Sequence, residues 1–166
     1  VIDLRGNGGG LLDAAVRITA QFLPSGSLIT YTEGRSPEFG KREEYQAGGA
    51  YYRFTVRENG QVQQRGEWLN PDEAIKRGLR PPEHRTRTPY PIAMLSDKGS
   101  ASASEIFMGA MQSHGRATIV GSTSFGKGSV QRELPLANGR RVATGEVEQA
   151  RMKLTIAKYY LKDGRS

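Results

Sequence analysis

Apolar positions along this chain of 166 residues recur at two spacings, separated by breaks rich in glycine and proline. Val1–Leu4 is a short apolar run that reads as a buried strand, and Arg5-Gly6-Asn7-Gly8-Gly9-Gly10 interrupts it. Leu11, Ala15, Ile18 and Phe22 then fall at helical spacing, which predicts a helix from Leu11 to about Phe22, stopped by Pro24 and Gly26. Ser27–Thr32 predicts a strand. Tyr51–Glu58 alternates, Asn59-Gly60 is a strong hairpin signal, and Gln61–Arg65 supplies the return strand. Asn70-Pro71-Asp72-Glu73 is a well-formed helix start that Gly78 closes. The apolar run Pro91–Leu95 leads through Lys98-Gly99-Ser100-Ala101-Ser102-Ala103-Ser104 into a helix-forming run from Glu105 to Gln112. A strand at Ala117–Val120 follows. Met152–Leu161 closes the chain, with Leu154, Ile156, Lys158 and Tyr160 on one face and Lys153, Thr155, Ala157 and Tyr159 on the other.

Two strand–helix units followed by further strands indicate an α/β domain with helices packed on a sheet. The length suits one domain. Residues 33–88 read as an insert, mostly β, carried on that domain, with Arg80–Pro91 as the linker back to the main sheet. The chain opens already inside a strand and stops inside a turn, so flanking sequence is expected on both sides.

Composition narrows the partners. The net charge of +7 comes from basic residues that are scattered apart from short clusters at Arg85-Thr86-Arg87 and Arg140-Arg141. Such an excess reads as a solvated surface, and nucleic acid is not expected as a partner. There is no cysteine, which removes disulfides and thiolate chemistry. No apolar run approaches the roughly 20 residues needed to span a membrane.

Candidate chemistry sits in three loops. Consecutive glycines at 8–10 let backbone N–H groups approach a ligand and point at an anion, but they equally suit a tight turn. A dinucleotide fingerprint fits badly, because Leu11 stands where its last glycine belongs, and no P-loop lysine follows. The strand–turn–helix at 91–112 puts a side chain at the head of a helix, where free N–H groups and the dipole favour developing negative charge. A serine there can be a nucleophile, while Ser100, Ser102 and Ser104 read just as well as cap and turn residues. The third loop, Phe125-Gly126-Lys127-Gly128-Ser129-Val130-Gln131, sets a lysine between glycines, with no acidic residue between Ser122 and Arg132. A lysine acts as a general base only when neutral, which calls for burial away from carboxylates. A surface lysine in a glycine turn fits the same residues. His84 has no partner in sequence and reads as a surface residue.

Taken together, five segments in order resemble the carboxyl-terminal processing peptidases, also called tail-specific proteases, of serine peptidase family S41. They are Val1–Arg5 with Asn7–Leu12, Gly99–Ile106, Gly115–Gly121, Phe125–Gln131 and Lys153–Tyr160. The resemblance covers both flanks and does not extend over the insert. It implies a core of the crotonase/ClpP-like kind, built of repeated strand-strand-helix units. By position, Ser102 is similar to that family's nucleophile, Lys127 to its general base, and Gln131 to the residue that holds the lysine. The N–H groups of Gly10 and Ala103 match its oxyanion hole. Such a dyad needs neither histidine nor aspartate.

The function so implied is endopeptidase cleavage of proteins at or near their C-terminal tails through an acyl-enzyme, with no metal or cofactor. Expected partners are protein or peptide substrates, bound through their C-termini, and an upstream PDZ domain, for which nothing in this chain stands. A homo-oligomer is a further expectation. Bacterial members act mostly in the periplasm or the cell envelope, which the lack of cysteine allows. Two rivals remain to be separated: an inactive module of the same fold that binds peptide tails, and an acyl-CoA-handling enzyme suggested by fold analogy alone.

Overall fold

The computed structural model describes residues 1–35, 41–58, 61–81, 89–136, 140–141, 147–148 and 150–166. Side chains at 51–65, 140–141 and 147–148 are outside that description, as are His84, Asn59-Gly60 and Arg85-Thr86-Arg87. The elements are β1 (Ile2–Asp3), α1 (Leu12–Ala20), β2 (Leu28–Glu33), β3 (Glu43–Gln46), β4 (Ala50–Glu58), β5 (Gln61–Leu69) and α2 (Pro71–Lys76). They continue with β6 (Ile92–Ser96), α3 (Ala103–Ser113), β7 (Ala117–Gly121), β8 (Ser129–Pro135), β9 (Arg140–Arg141), β10 (Val147–Glu148) and β11 (Arg151–Tyr160).

A three-stranded parallel sheet, ordered β1-β6-β7, carries the first, central and third apolar runs; Ile2 pairs with Met94, and Met94 with Ile119. Parallel neighbours end on the same side, so the loops that follow β1, β6 and β7 emerge together at the carboxyl edge of this sheet. Ligand sites in α/β folds form there. A four-stranded antiparallel sheet, ordered β3-β2-β11-β8, makes a second layer. Between them α1 packs on α3; α3 also touches β7 and β2, and α1 touches β2 and β3. Val16, Leu23, Ile29, Met94 and Met111 are almost wholly buried in this core, and Phe22 stacks on Phe107 at 5.8 Å.

The helix at 12–20 forms as its spacing predicts, but its buried face differs. Ala15, Val16, Thr19 and Ala20 are buried, whereas Leu11 is 77% and Ile18 50% exposed. Small residues let α1 approach its neighbours closely, and the Thr19 hydroxyl enters the core because it donates to its own turn at Ala15 O, 2.7 Å away. The hairpin signal is matched by β4 and β5, paired antiparallel from Ala50↔Leu69 to Glu58↔Gln61. The described part of residues 33–88 is also woven into the domain: β3 pairs with β2, and Trp68 and Ala47 belong to the main core. Within residues 33–88, Asn70 at the head of α2 is tied to β3, accepting the Gln46 N–H at 3.0 Å and donating to Glu44 O at 3.1 Å. In β11 the register against β8 shifts between Thr155 and Ala157, after which Ala157 and Tyr159 turn into the core.

Candidate active site

The loop after β1 lies directly on the turn after β6. Ala101 N–H donates to Asn7 O at 3.0 Å, and the Asn7 side chain in turn accepts the Gly9 N–H at 3.0 Å. Asp97 ties the same loops from below, accepting Gly6 N–H at 2.8 Å and Gly99 N–H at 2.9 Å. The Gly6 N–H above all holds the Asp97 carboxyl below its ordinary range, against the effect of partial burial, with Gly99 N–H and the Ser100 hydroxyl adding to it. Glycine is required at the contact. A Cβ on Gly9, whose φ is +91°, would stand 2.5 Å from Ala101 O, 2.7 Å from Ala103 N and 2.9 Å from Ser102 Cβ.

Of the three serines, Ser100 and Ser104 are buried, with 0% and 5% exposure. Ser100 Oγ donates to Leu4 O at 2.8 Å and accepts the Asp97 N–H at 3.0 Å, so it staples β1 to the turn. Ser102 is different. It is the one non-glycine at positive φ among the described residues, with φ 56° and ψ −117°, and it is the N-cap of α3. A sharp, strained strand-to-helix turn lifts such a side chain clear of the backbone at the cost of about 1–3 kcal/mol. Ser102 lines a cavity of about 290 Å³ together with Gly10, Leu11, Ala103, Ile106, Lys127, Gln131, Lys153 and Tyr159. Among the described residues neither the Gly10 N–H nor the Ala103 N–H has an acceptor in the protein.

All five residues singled out from the sequence, Ser102, Lys127, Gln131, Gly10 and Ala103, therefore meet at one cavity. Lys127 precedes β8, and Gln131 lies within it, opposite Thr155 of β11. Among the described residues no hydrogen bond joins the Ser102 hydroxyl, the Lys127 amine and the Gln131 amide to one another. Lys153 adds a second cation to the cavity; its Nζ is 3.7 Å from Glu133 Oε1.

The sequence missed Glu105. The lysine loop contains no acid of its own, yet the fold brings this carboxylate to it, so the expectation of a lysine loop remote from carboxylates is corrected. Oε2 accepts the N–H of Ser102 at 2.7 Å and of Lys127 at 2.9 Å; Oε1 accepts Ser124 Oγ at 2.7 Å and Gly126 N–H at 2.6 Å. Burial works to raise the Glu105 carboxyl, but the hydrogen bonds from Ser124, Gly126, Ser102 and Lys127 together hold it below its ordinary value. The Tyr159 hydroxyl donates to Lys127 O and stands 3.4 Å from Glu105 Oε2. Burial first, and then the Glu105 charge, push this phenol well above its usual range, so it stays protonated as a donor. Part of this was visible in the Ser102-x-x-Glu105 spacing, which is that of a capping box.

A serine on a strained turn at a helix head, flanked by backbone N–H donors and facing a lysine, is a layout that acyl-transferring hydrolases use. The chain belongs to peptidase family S41, whose profile matches residues 1–166. That match runs through residues 33–88, where the sequence motifs alone showed no resemblance. The chain is 36% identical over 166 residues to a carboxy-terminal-processing protease of Bartonella bacilliformis, covering 100% of this chain and 27% of that protein. It is 32% identical over 159 residues to a carboxyl-terminal-processing protease of Synechocystis, covering 96% of this chain and 26% of that protein. It thus spans about a quarter of the length of these relatives. Among solved structures, the photosystem II D1 C-terminal processing protease superposes with a TM-score of 0.59 at 23% identity, over 98% of this chain and 30% of that one. An S41 protease from Bacteroides fragilis gives a TM-score of 0.57 at 13% identity, over 98% of this chain and 33% of that one.

Proposed function

We propose that this chain is the catalytic core of a serine endopeptidase that cuts proteins at or near their C-terminal tails. The observation that carries the reading is the single cavity lined by Ser102, Lys127, Gln131, Gly10 and Ala103. In this scheme the Lys127 amine takes the proton of Ser102 Oγ as the oxygen attacks a substrate carbonyl carbon. The tetrahedral oxyanion lies against the N–H groups of Gly10 and Ala103, and one such donor contributes about 3–4 kcal/mol in the transition state. Collapse breaks the C–N bond, and the Lys127 ammonium returns the proton to the leaving amine. Water, deprotonated by the same lysine, then attacks the acyl carbon; the bond to Ser102 Oγ breaks, the new carboxylic acid leaves, and the Lys127 ammonium returns the proton to Ser102 Oγ. Gln131 orients the lysine as an uncharged partner. Hydrogen bonds between these groups form as substrate closes the site; catalytic bonds are often loose in its absence.

The parallel sheet with a site loop after each strand supports a crotonase-like plan for the core, and the names of the relatives support tail-directed cleavage. Work outside the cytoplasmic membrane and a substrate-tail-binding domain elsewhere in the protein complete the reading.

The test is cleavage of a loosely folded protein by the full-length enzyme, beside Ser102→Ala and Lys127→Ala. Cleavage by the wild type alone is expected. Either variant within tenfold of wild type would overturn the dyad, and tail binding without any cleavage would favour an inactive binding module.

A further inference from the structure

Lys127 stands between glycines, with Gly126 at φ +86°, and glycines alone leave such a loop poorly defined. What defines it lies outside the loop. The Lys127 N–H is held by Glu105 and its carbonyl by Tyr159, so the peptide groups on both sides of its Cα are tied. The oxygen that takes the Lys127 N–H also takes the N–H of Ser102. Glu105 does not line the Ser102 cavity. It lines a neighbouring cavity of about 450 Å³ with Ser124, Gly126 and Tyr159, the last of which lines both.

We propose that Glu105 is the positioning residue of this site: by holding the main-chain N–H groups of Ser102 and Lys127 on one oxygen, its carboxylate sets nucleophile against base. The inference rests on the reading of Ser102 and Lys127 given above. The chemistry favours a carboxylate here. Ionised, it accepts at every lone pair and can serve all the N–H and O–H donors that face it, with the added strength of charge assistance. A glutamine has one accepting oxygen: set on the Ser102 and Lys127 N–H groups, it turns its NH₂ against the Gly126 N–H of the lysine loop, and set the other way it turns its NH₂ against the N–H groups of Ser102 and Lys127 themselves. An aspartate keeps the charge but is one methylene shorter and cannot span both.

The test is the rate at which a small fluorophosphonate labels Ser102 in the full-length protein, read with kcat, KM and the melting temperature. In this reaction Ser102 Oγ bonds to phosphorus, fluoride leaves, and Lys127 accepts the proton, with no peptide groove involved. Glu105→Gln is expected to slow labelling and kcat together by about a hundredfold, the effect of misplacing reacting groups by about 1 Å, while KM is unchanged. Glu105→Asp should fall between, and Tyr159→Phe should lose about fivefold. A Glu105→Gln protein that melts lower yet labels at the wild-type rate would overturn the proposal and leave Glu105 a stabilising residue only. Should that variant not fold, Glu105→Asp decides, since it keeps the charge but not the reach to the N–H groups of Ser102 and Lys127; labelling at the wild-type rate overturns the proposal. If Ser102→Ala is labelled as fast as wild type, the dyad itself falls, and the proposal with it.

Discussion

The contact between the glycine loop and the Ser102 turn makes a sharp prediction for Gly9→Ala. The added methyl would stand 2.5 Å from Ala101 O, 2.7 Å from Ala103 N and 2.9 Å from Ser102 Cβ. None of these atoms lies at the end of a flexible side chain, so no rotamer change relieves the overlap. The residue also sits at φ +91°, where an L side chain costs about 1–3 kcal/mol. The loop must therefore lift off, carrying Gly10 N–H away from Ala103 N–H, or stay and cover Ala103 N with a methyl group. Either way the oxyanion hole proposed for Gly10 and Ala103 loses at least one donor, worth about 10²–10³ in kcat. Gly8→Ala is the matched control, because a Cβ on Gly8 meets nothing within 4 Å. Peptide hydrolysis should show kcat down by that factor for Gly9→Ala, with KM near wild type and a modest fall in melting temperature, whereas Gly8→Ala keeps its activity. A Gly9→Ala enzyme within threefold of wild type would refute the pairing of these donors.

Other substitutions separate catalytic from structural roles. Ser102→Gly and Ser102→Ala should both be inactive, but the glycine variant should be the more stable by about 1–2 kcal/mol, because only it is at ease at φ 56°; calorimetry checks the order. Ser100→Ala leaves the Asp97 N–H and Leu4 O without their buried partner, which predicts a loss of about 1–3 kcal/mol in denaturant unfolding while fluorophosphonate still labels Ser102 in the folded fraction. Asp97 and Glu105 are both held below their ordinary values when folded, so the stability they contribute is present above the unfolded carboxylate range and lost as pH falls through the lower folded values. Melting temperature followed from neutral pH to about pH 3 should therefore drop less steeply in Asp97→Asn than in wild type; an identical slope would contradict the Asp97 contacts.

The sequence discloses elements whose signals are local. Asn59-Gly60 between alternating runs announces the β4–β5 pair, and Asn70-Pro71 announces α2, because turn and cap chemistry act over a few residues. The face of α1 is harder to read. Leu11 and Ile18 are the more apolar residues, but the neighbours of α1 are helix α3 and strands β2 and β3, and they accept the small side chains of Ala15, Thr19 and Ala20. Strand β8 is illegible for a related reason. Its Gln131, Arg132 and Glu133 do not alternate, and their extended state comes from pairing with Thr155, Leu154 and Lys153 of β11.

The site divides along the same line. Its motifs are local, so the resemblance they carry singles out Ser102, Lys127, Gln131, Gly10 and Ala103 as candidates, but the reason they meet is the strand order β1-β6-β7, which brings three loops distant in the chain to one sheet edge. Glu105 stands between the two cases. The Ser102-x-x-Glu105 spacing announces a helix cap and nothing more. Its second task, holding the lysine loop, exists only because that loop folds back over the turn, with Phe125 N–H donating to Ser100 O at 2.9 Å, and so delivers the Lys127 N–H to a carboxylate already in place for Ser102. One side chain chosen to start a helix thereby ties the Ser102 turn to the Lys127 loop, which on the proposed reading are the two halves of the chemistry, without itself lining the cavity they share.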